Sequence, residues 1–292
     1  MPSINIQRVP HFYELTDPTV APDVLVFIHG WLLSRHYWQP LIRQLSPTYQ
    51  CLTYDLRGFG ESQPTSSGIS TSATSKDFSL QAYARDLELI LKQLGMERVW
   101  LIGHSLGGSI ALWTADRLPQ QVQGVICVNA GGGIYLKEEF ERFRSAGQQL
   151  VKLRPRWLCS LPLLDLLFTR ASVAEPISRQ WGRQRLVDFV VADQQAALGS
   201  LLESTTEESV HLLPQIVARL HQPVYFIAGS QDPIMDIRYV RHLASFHSLF
   251  KDQGANVLEI ANCGHLAMVE QPQQVSNCIY QILSQHSETG YC

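Results

Sequence analysis

Five residues limit this chain more than any other stretch: Gly103-His104-Ser105-Leu106-Gly107. Before them, Val99 to Ile102 is an apolar, β-branched run of the kind that forms a buried strand. After them, Ser109-Ile110-Ala111-Leu112-Trp113-Thr114-Ala115 reads as a buried helix. The pattern between is G-x-S-x-G. A serine on a sharp strand-to-helix turn projects its hydroxyl clear of the sheet. Such a turn strains the backbone at Ser105 and crowds its neighbours, so Gly103 and Gly107 remove side chains that would clash. The following helix aims free N–H groups at the space above the serine. Five residues alone are a weak signal. The strand before and the helix after make it a functional one.

The rest of the chain supplies a setting. Val24-Leu25-Val26-Phe27-Ile28 is a continuous apolar run, as in a strand covered on both faces, and it ends at His29-Gly30-Trp31. Ile4 to Val9 and Phe12 to Leu15 read as an edge hairpin. A helix is expected from about Tyr37 to Leu45. A strand at Cys51 runs into Asp55-Leu56-Arg57-Gly58-Phe59-Gly60-Glu61-Ser62. Residues Gln63 to Lys76 are rich in Ser and Thr and read as a surface loop. A long amphipathic helix follows near Leu80 to Leu94, with Gly95 as its stop. Val122 to Asn129, Val224 to Ala228 and, less strongly, Ala255 to Ile260 are further strands. Strands and helices alternate, which argues for a mainly parallel sheet covered by helices.

The alternation lapses between about Ile134 and Pro214, where helical patterns occur without a strand. The most apolar part is Leu158 to Phe168. A helical cap over the site is the expected role. Leu158, Leu161, Leu163, Leu164, Leu166, Leu167 and Phe168, with Trp157 and Trp181, are expected to line an apolar pocket. Any of them that face solvent would offer a weak peripheral membrane contact.

A serine hydroxyl needs a base, and the base needs a group that orients it. The acid candidate is Asp232 in Gly229-Ser230-Gln231-Asp232-Pro233, beyond the Val224-to-Ala228 strand, where open α/β sheets place their sites. Asp236 is the rival, with a helix start as its alternative role. The base candidate among ten histidines is His265, in Asn262-Cys263-Gly264-His265-Leu266 after the last strand. His104 is assigned to packing against the sheet. An oxyanion hole needs two N–H donors. One is the N–H of Leu106; the other is that of Trp31, with Leu32 as the rival. Gly30 lets this backbone approach, and His29 fixes the loop by hydrogen bonding.

With these motifs the chain resembles an α/β-hydrolase of the large AB hydrolase-1 type, over nearly all of its length outside the cap. The resemblance implies an α/β fold with a mostly parallel central sheet of about eight strands, helices on both faces and an inserted helical cap. It divides the chain into a core at 1–133, a cap at 134–214 and a core at 215–292. It also implies the chain order serine, acid, histidine, which Ser105, Asp232 and His265 follow. In the Asp55-to-Ser62 turn, Asp55 and Arg57 take structural parts. Ser105 stands where dehalogenases and epoxide hydrolases carry an aspartate, so those activities fall away. Esterases, thioesterases, carbon–carbon bond hydrolases, proline-type aminopeptidases and slow-turnover receptors of the same fold stay open. An ester or related acyl bond of a small, mainly apolar substrate is the expected target. No cofactor or metal is required.

With a formal charge of -3, the 292-residue chain offers no electrostatic reason to bind nucleic acid. Residues 1–8 lack a secretory pattern, and six cysteines lie without metal-type spacing. A cytoplasmic monomer is the default expectation.

Overall fold

The computed structural model describes residues 1–63, 75–132 and 137–287. Most of the Ser/Thr-rich loop expected at 63–76 lies outside them. Eight strands form one sheet: β1 (Ser3–Ile6), β2 (Val9–Leu15), β3 (Val24–Ile28), β4 (Gln50–Tyr54), β5 (Val99–His104), β6 (Val122–Val128), β7 (Val224–Gly229) and β8 (Val257–Ile260). Their spatial order is β1-β2-β4-β3-β5-β6-β7-β8. The β1–β2 hairpin and the β2–β4 pairing are antiparallel, and every other pairing is parallel.

The apolar runs are continuous because both faces are covered. Side chains alternate across a strand, so one run feeds two cores. Val26, Ile28 and Leu101 belong to one core, with residues of α2 (Leu80–Gln93), α3 (Leu106–Arg117) and α8 (Glu207–Arg219). Leu25, Phe27, Trp100 and Ile102 belong to the other, with residues of α1 (Gln39–Leu45) and α12 (Pro272–Ser287). Gly95 follows α2 at φ +67°, as expected of its stop. The Asp55–Ser62 turn is pinned as the sequence suggests. Asp55 accepts from the Arg35 and Glu61 amides and pairs with the Arg35 guanidinium. Arg57 forms a forked pair with buried Asp86.

Between β6 and β7 the described chain is helical: α4 (Lys137–Lys152), a 3-10 turn at Arg156–Ser160, α5 (Leu164–Phe168), α6 (Arg179–Val191), α7 (Gln194–Ser204) and α8. The boundary expected at Pro214 falls inside α8, which packs on α3 as part of the sheet's own cover. The other helices are tied to the core at defined points. Trp31 Nε1 donates to Ala197 O (2.9 Å), and the Asp193 amide donates to Gly58 O (2.8 Å). Ser34 Oγ donates to Asp188 (2.9 Å).

The apolar run of this region corrects an expectation. Of the residues expected to line a pocket, only Phe168 does so. Leu158 and Leu164 are half-buried against the core, and the Trp181 ring lies tilted against Tyr37 at 5.4 Å. Trp157, Leu161, Leu163, Leu166 and Leu167 are exposed. In a short helix packed on one side, only one stripe of apolar residues can turn inward. No helix among the described residues is long and apolar enough to cross a membrane.

Candidate active site

Parallel strands bring their C-terminal ends to one edge of the sheet, and every candidate residue lies there. Ser105 follows β5 at φ 51°, ψ -116°, a conformation that L residues rarely hold. The glycines around it are required by contact. A Cβ on Gly103 would lie 2.2 Å from Gly107 O, and one on Gly107 would lie 2.2 Å from Ile28 O. Both neighbours are backbone and cannot give way. Leu106 opens α3, so its N–H has no partner inside the helix.

Asp232 and His265 meet. His265 Nδ1 lies 2.7 Å from Asp232 Oδ2. A carboxylate accepts only, so Nδ1 carries the proton and Nε2 is left as an acceptor. Oδ2 also accepts from Asn129 Nδ2 (2.8 Å), while Oδ1 accepts from the amides of Ile234 (2.8 Å) and Met235 (2.9 Å). Burial alone would raise the pKa of Asp232. The His265 ring and the two amides outweigh it and hold the carboxyl below its ordinary value. Asp236 does not reach the histidine. It caps α9 (Ile237–Ala244), accepting from the Arg238 amide.

The backbone of His265 is held on every side. Its amide donates to Ser172 O (2.8 Å), and its carbonyl accepts from His104 Nε2 (2.7 Å). The assignment of His104 to packing is therefore incomplete, since its ring also braces the His265 backbone. Burial, then the neighbouring His265, push His104 down to about 3, so it is neutral. The amides flanking His265, on Gly264 and Leu266, both donate to Glu270 (2.9 Å each). Glu270 also takes the Ala174 amide (2.8 Å), tying the segment after α5 to the same loop.

On the other side of the serine, His29 Nδ1 donates to Gly30 O (2.8 Å) and Nε2 accepts from the Leu56 amide (2.9 Å). Its role is to fix the loop. Gly30 is packed so closely that a Cβ there would sit 2.6 Å from His104 Nδ1. Trp31 and Leu32, the two rival donors, both face the cavity, with Leu32 at φ 56°.

Ser105, His265, Leu106 and Trp31 line one cavity of about 260 Å³. That is just below the usual span of ligand sites, roughly 300–1,000 Å³. Its outer wall is apolar, from Phe143 and Leu150 of α4, Phe168, Phe189 of α6 and Leu201 of α7. Arg185 of α6 is the one permanently charged side chain among the lining residues. Ser105 and His265 share the cavity without a hydrogen bond between them. Such contacts are commonly loose before substrate enters. Among the described residues no cluster of side chains could hold a metal ion.

Sequence reasoning missed Asn129, Ser172, Arg185 and Glu270. Asn129 had a signal. It directly follows β6, which lies between the serine's strand and the aspartate's. Ser172 and Arg185 had none, because the helical segment reaches the site only through folding, and Glu270, close after His265 in sequence, carried no mark of which way its oxygens turn.

A family model for the alpha/beta hydrolase fold matches residues 23–272. A 2-succinyl-6-hydroxy-2,4-cyclohexadiene-1-carboxylate synthase of Citrobacter koseri is 26% identical over 89% of this chain and 93% of its own. The bifunctional biotin biosynthesis protein BioHC of Cellvibrio japonicus is 26% identical over 88% of this chain. The chain spans 46% of that protein and 8% of the Arabidopsis thaliana protein PHYLLO, so it corresponds to part of some curated relatives. Among solved structures, an esterase of Thermogutta terrifontis superposes with a TM-score of 0.73 at 22% identity, covering 98% of this chain and 99% of that one. An epoxide hydrolase, CorEH, gives 0.71 at 20%, covering 97% of this chain and 98% of that one. Those two likenesses are of fold alone. The match over residues 23–272, on a fold with this strand order and this serine turn, makes the chain a member of the α/β-hydrolase family.

Proposed function

We propose that this protein is a serine hydrolase that cleaves an ester or related acyl bond of a small, mainly apolar substrate. The observation that carries the reading is the fully bonded Asp232–His265 pair in the cavity that Ser105 lines. His265 Nε2 takes the Ser105 proton as Oγ attacks the carbonyl carbon. Asp232 holds the ring in the tautomer that leaves Nε2 free and stabilises the imidazolium. The N–H groups of Leu106 and Trp31 receive the negative oxygen. His265 then gives its proton to the leaving group, and the acyl group stays on Oγ. Water attacks that acyl group, with His265 taking its proton, and as the acid leaves His265 returns that proton to Ser105 Oγ. Helices α4 to α7 act as a cap that supplies the apolar wall.

Labelling by a fluorophosphonate, mapped to its peptide, tests the nucleophile without knowledge of the substrate. Modification of Ser105, abolished in Ser105→Ala, is the expected result. A folded protein that is not modified, or is modified elsewhere, overturns the reading. The cavity adds a second expectation: activity on acyl esters rises with chain length and then stops at a limit.

One observation favours a narrower second reading, in which the apolar substrate also carries a carboxylate. Arg185 gives Nη1 to Phe168 O and Ala171 O (2.6 Å each), and no carboxylate of the described residues pairs with it. Burial lowers its pKa, and the opposing pull of Tyr37 and Glu270 does not offset that. The synthase relatives are named for a carboxylate product. Arg185→Met is expected to cut kcat/KM on a dicarboxylic acid half-ester by about tenfold to a hundredfold and leave the neutral ester of equal length unchanged. Equal losses on both substrates refute it.

A further inference from the structure

One run of the chain is not accounted for by the cavity or the core. Among the described residues, twelve large apolar side chains are exposed, and seven of them lie between Leu150 and Leu167. Leu153 is 75% exposed, Trp157 61%, Leu163 60% and Leu167 68%. The inner side of the same run is already satisfied. Phe168 packs on Phe189 at 5.7 Å, and Leu158 and Leu164 join the main core. The outward residues are therefore a second surface, left uncovered by the described residues. Apolar surface gathered in this way marks a contact site.

Charge narrows the partner. Residues 150–170 hold Lys152, Arg154, Arg156 and Arg170 against a single acid, Asp165, in a chain whose formal charge is -3. Arg154 turns inward, bonded to Val151 O and Phe189 O, while Lys152, Arg156 and Arg170 are exposed. Asp165 is buried and paired with Arg179. The run thus interleaves leucines, a tryptophan and free cations, with no exposed carboxylate of its own. Apolar groups that enter a headgroup boundary, beside cations that stay among the headgroups, describe a protein seated on anionic lipid. A second copy fits poorly. A two-fold contact would oppose this patch to itself and bring the same cations together.

We propose that the Leu150–Arg170 run seats the protein on an anionic lipid surface. With no membrane-crossing helix among the described residues, the contact is interfacial. Leu150 and Phe168 also line the cavity. The lipid-facing run is therefore also a wall of the candidate active site, and an amphiphilic ester passes from the bilayer to Ser105 along it. That last step rests on the hydrolase reading; the lipid contact does not.

The test is sedimentation of the full chain with vesicles of phosphatidylcholine alone and of phosphatidylcholine mixed with phosphatidylglycerol. The protein is expected to sediment with the mixed vesicles and to be released by salt. Lys152→Gln and Arg156→Gln each weaken partitioning about fivefold. Leu166→Ser with Leu167→Ser weakens it at least about tenfold without shifting Tm, because both leucines are exposed. Absence of sedimentation with the mixed vesicles, or binding indifferent to all four changes, overturns the proposal. So does a dimer, seen by light scattering, that the two serines dissolve, since it would give the patch to a second copy. A long-chain ester carried in the mixed vesicles should be turned over more slowly by both kinds of variant, with a soluble short ester unaffected. If sedimentation behaves as stated and neither ester is turned over by the wild type, the hydrolase reading fails and the lipid contact stands.

Discussion

Replacing Asp232 by Asn changes one atom and exposes what the carboxylate does. Its four hydrogen bonds come from donors: the Ile234 and Met235 amides at Oδ1, Asn129 and the His265 ring at Oδ2. An asparagine offers one acceptor oxygen and one NH₂. The two backbone amides are fixed by the turn that opens toward α9, so the amide oxygen takes their side. The NH₂ then faces Asn129 and His265. To accept from it, His265 must move its proton from Nδ1 to Nε2, the nitrogen that has to receive the serine proton. The base is then present in the wrong tautomer. In a serine protease triad that change costs about 10⁴ in kcat, equivalent to about 5.5 kcal/mol of barrier. The Asp232→Asn enzyme should therefore lose about 10⁴ in kcat on a short ester and label with a fluorophosphonate correspondingly slowly, while remaining folded. Far-UV circular dichroism and Tm serve as the control. Activity within about tenfold of the wild type would refute the assignment of Asp232 as the orienting acid.

Three further outcomes follow from contacts around the site. Gly107→Ala puts a Cβ 2.2 Å from Ile28 O with backbone on both sides, so destabilisation of more than about 3 kcal/mol is expected, read as a large drop in Tm or loss of soluble protein. Buried His104, depressed to about 3, favours the neutral form in the folded state. Its unfolded state binds the proton first, so stability is full above about pH 6.5 and falls as pH drops toward 3; about 2 kcal/mol is lost by pH 5. Denaturant midpoints at pH 7 and 5 should show that loss shrinking in His104→Gln, whose amide keeps a donor for His265 O. Glu270→Ala removes the acceptor for three amides around His265 and should cost about 2–4 kcal/mol of stability and lower kcat more than it raises KM. An unchanged pair of kinetic constants would limit Glu270 to a purely structural part.

The sheet was legible because its signal is local and redundant. A five-residue run such as Val24–Ile28, apolar at every position, is a strand only when helices cover both faces, and the two cores divide its side chains as alternation requires. The serine turn was legible for a different reason. Gly103 and Gly107 answer to backbone contacts closer than a Cβ allows, a constraint that no surface turn imposes. Asp232 and His265 could be ranked above Asp236 and nine other histidines by position after a strand, yet only folding shows which carboxylate meets which ring. The braces were not legible. Glu270 is an acid on a short helix, α11 (Ala267–Glu270), and nothing in its sequence says that both oxygens turn back onto Gly264 and Leu266.

The helical insertion marks a firmer boundary to what a sequence carries. Hydropathy measures what a side chain gains by leaving water; it does not say what will receive it. Leu164 and Leu167 are the same residue three positions apart on one short helix, and they read alike. One is half-buried against the core and the other is 68% exposed. Apart from Phe168, the cavity wall comes instead from Phe143, Leu150, Phe189 and Leu201, scattered over three helices and outside the Leu158-to-Phe168 stretch. An apolar run in an inserted segment therefore has two destinations, the protein's own interior or an apolar phase outside it. Flanking charge is what separates them. A run destined for the interior has no use for exposed cations between its leucines, whereas Lys152, Arg156 and Arg170 suit a boundary where an apolar phase meets anionic groups. Read for charge as well as hydropathy, the outward residues of 150–170 fit the proposed lipid contact, while Leu150 and Phe168 at the two ends of that run also reach the cavity.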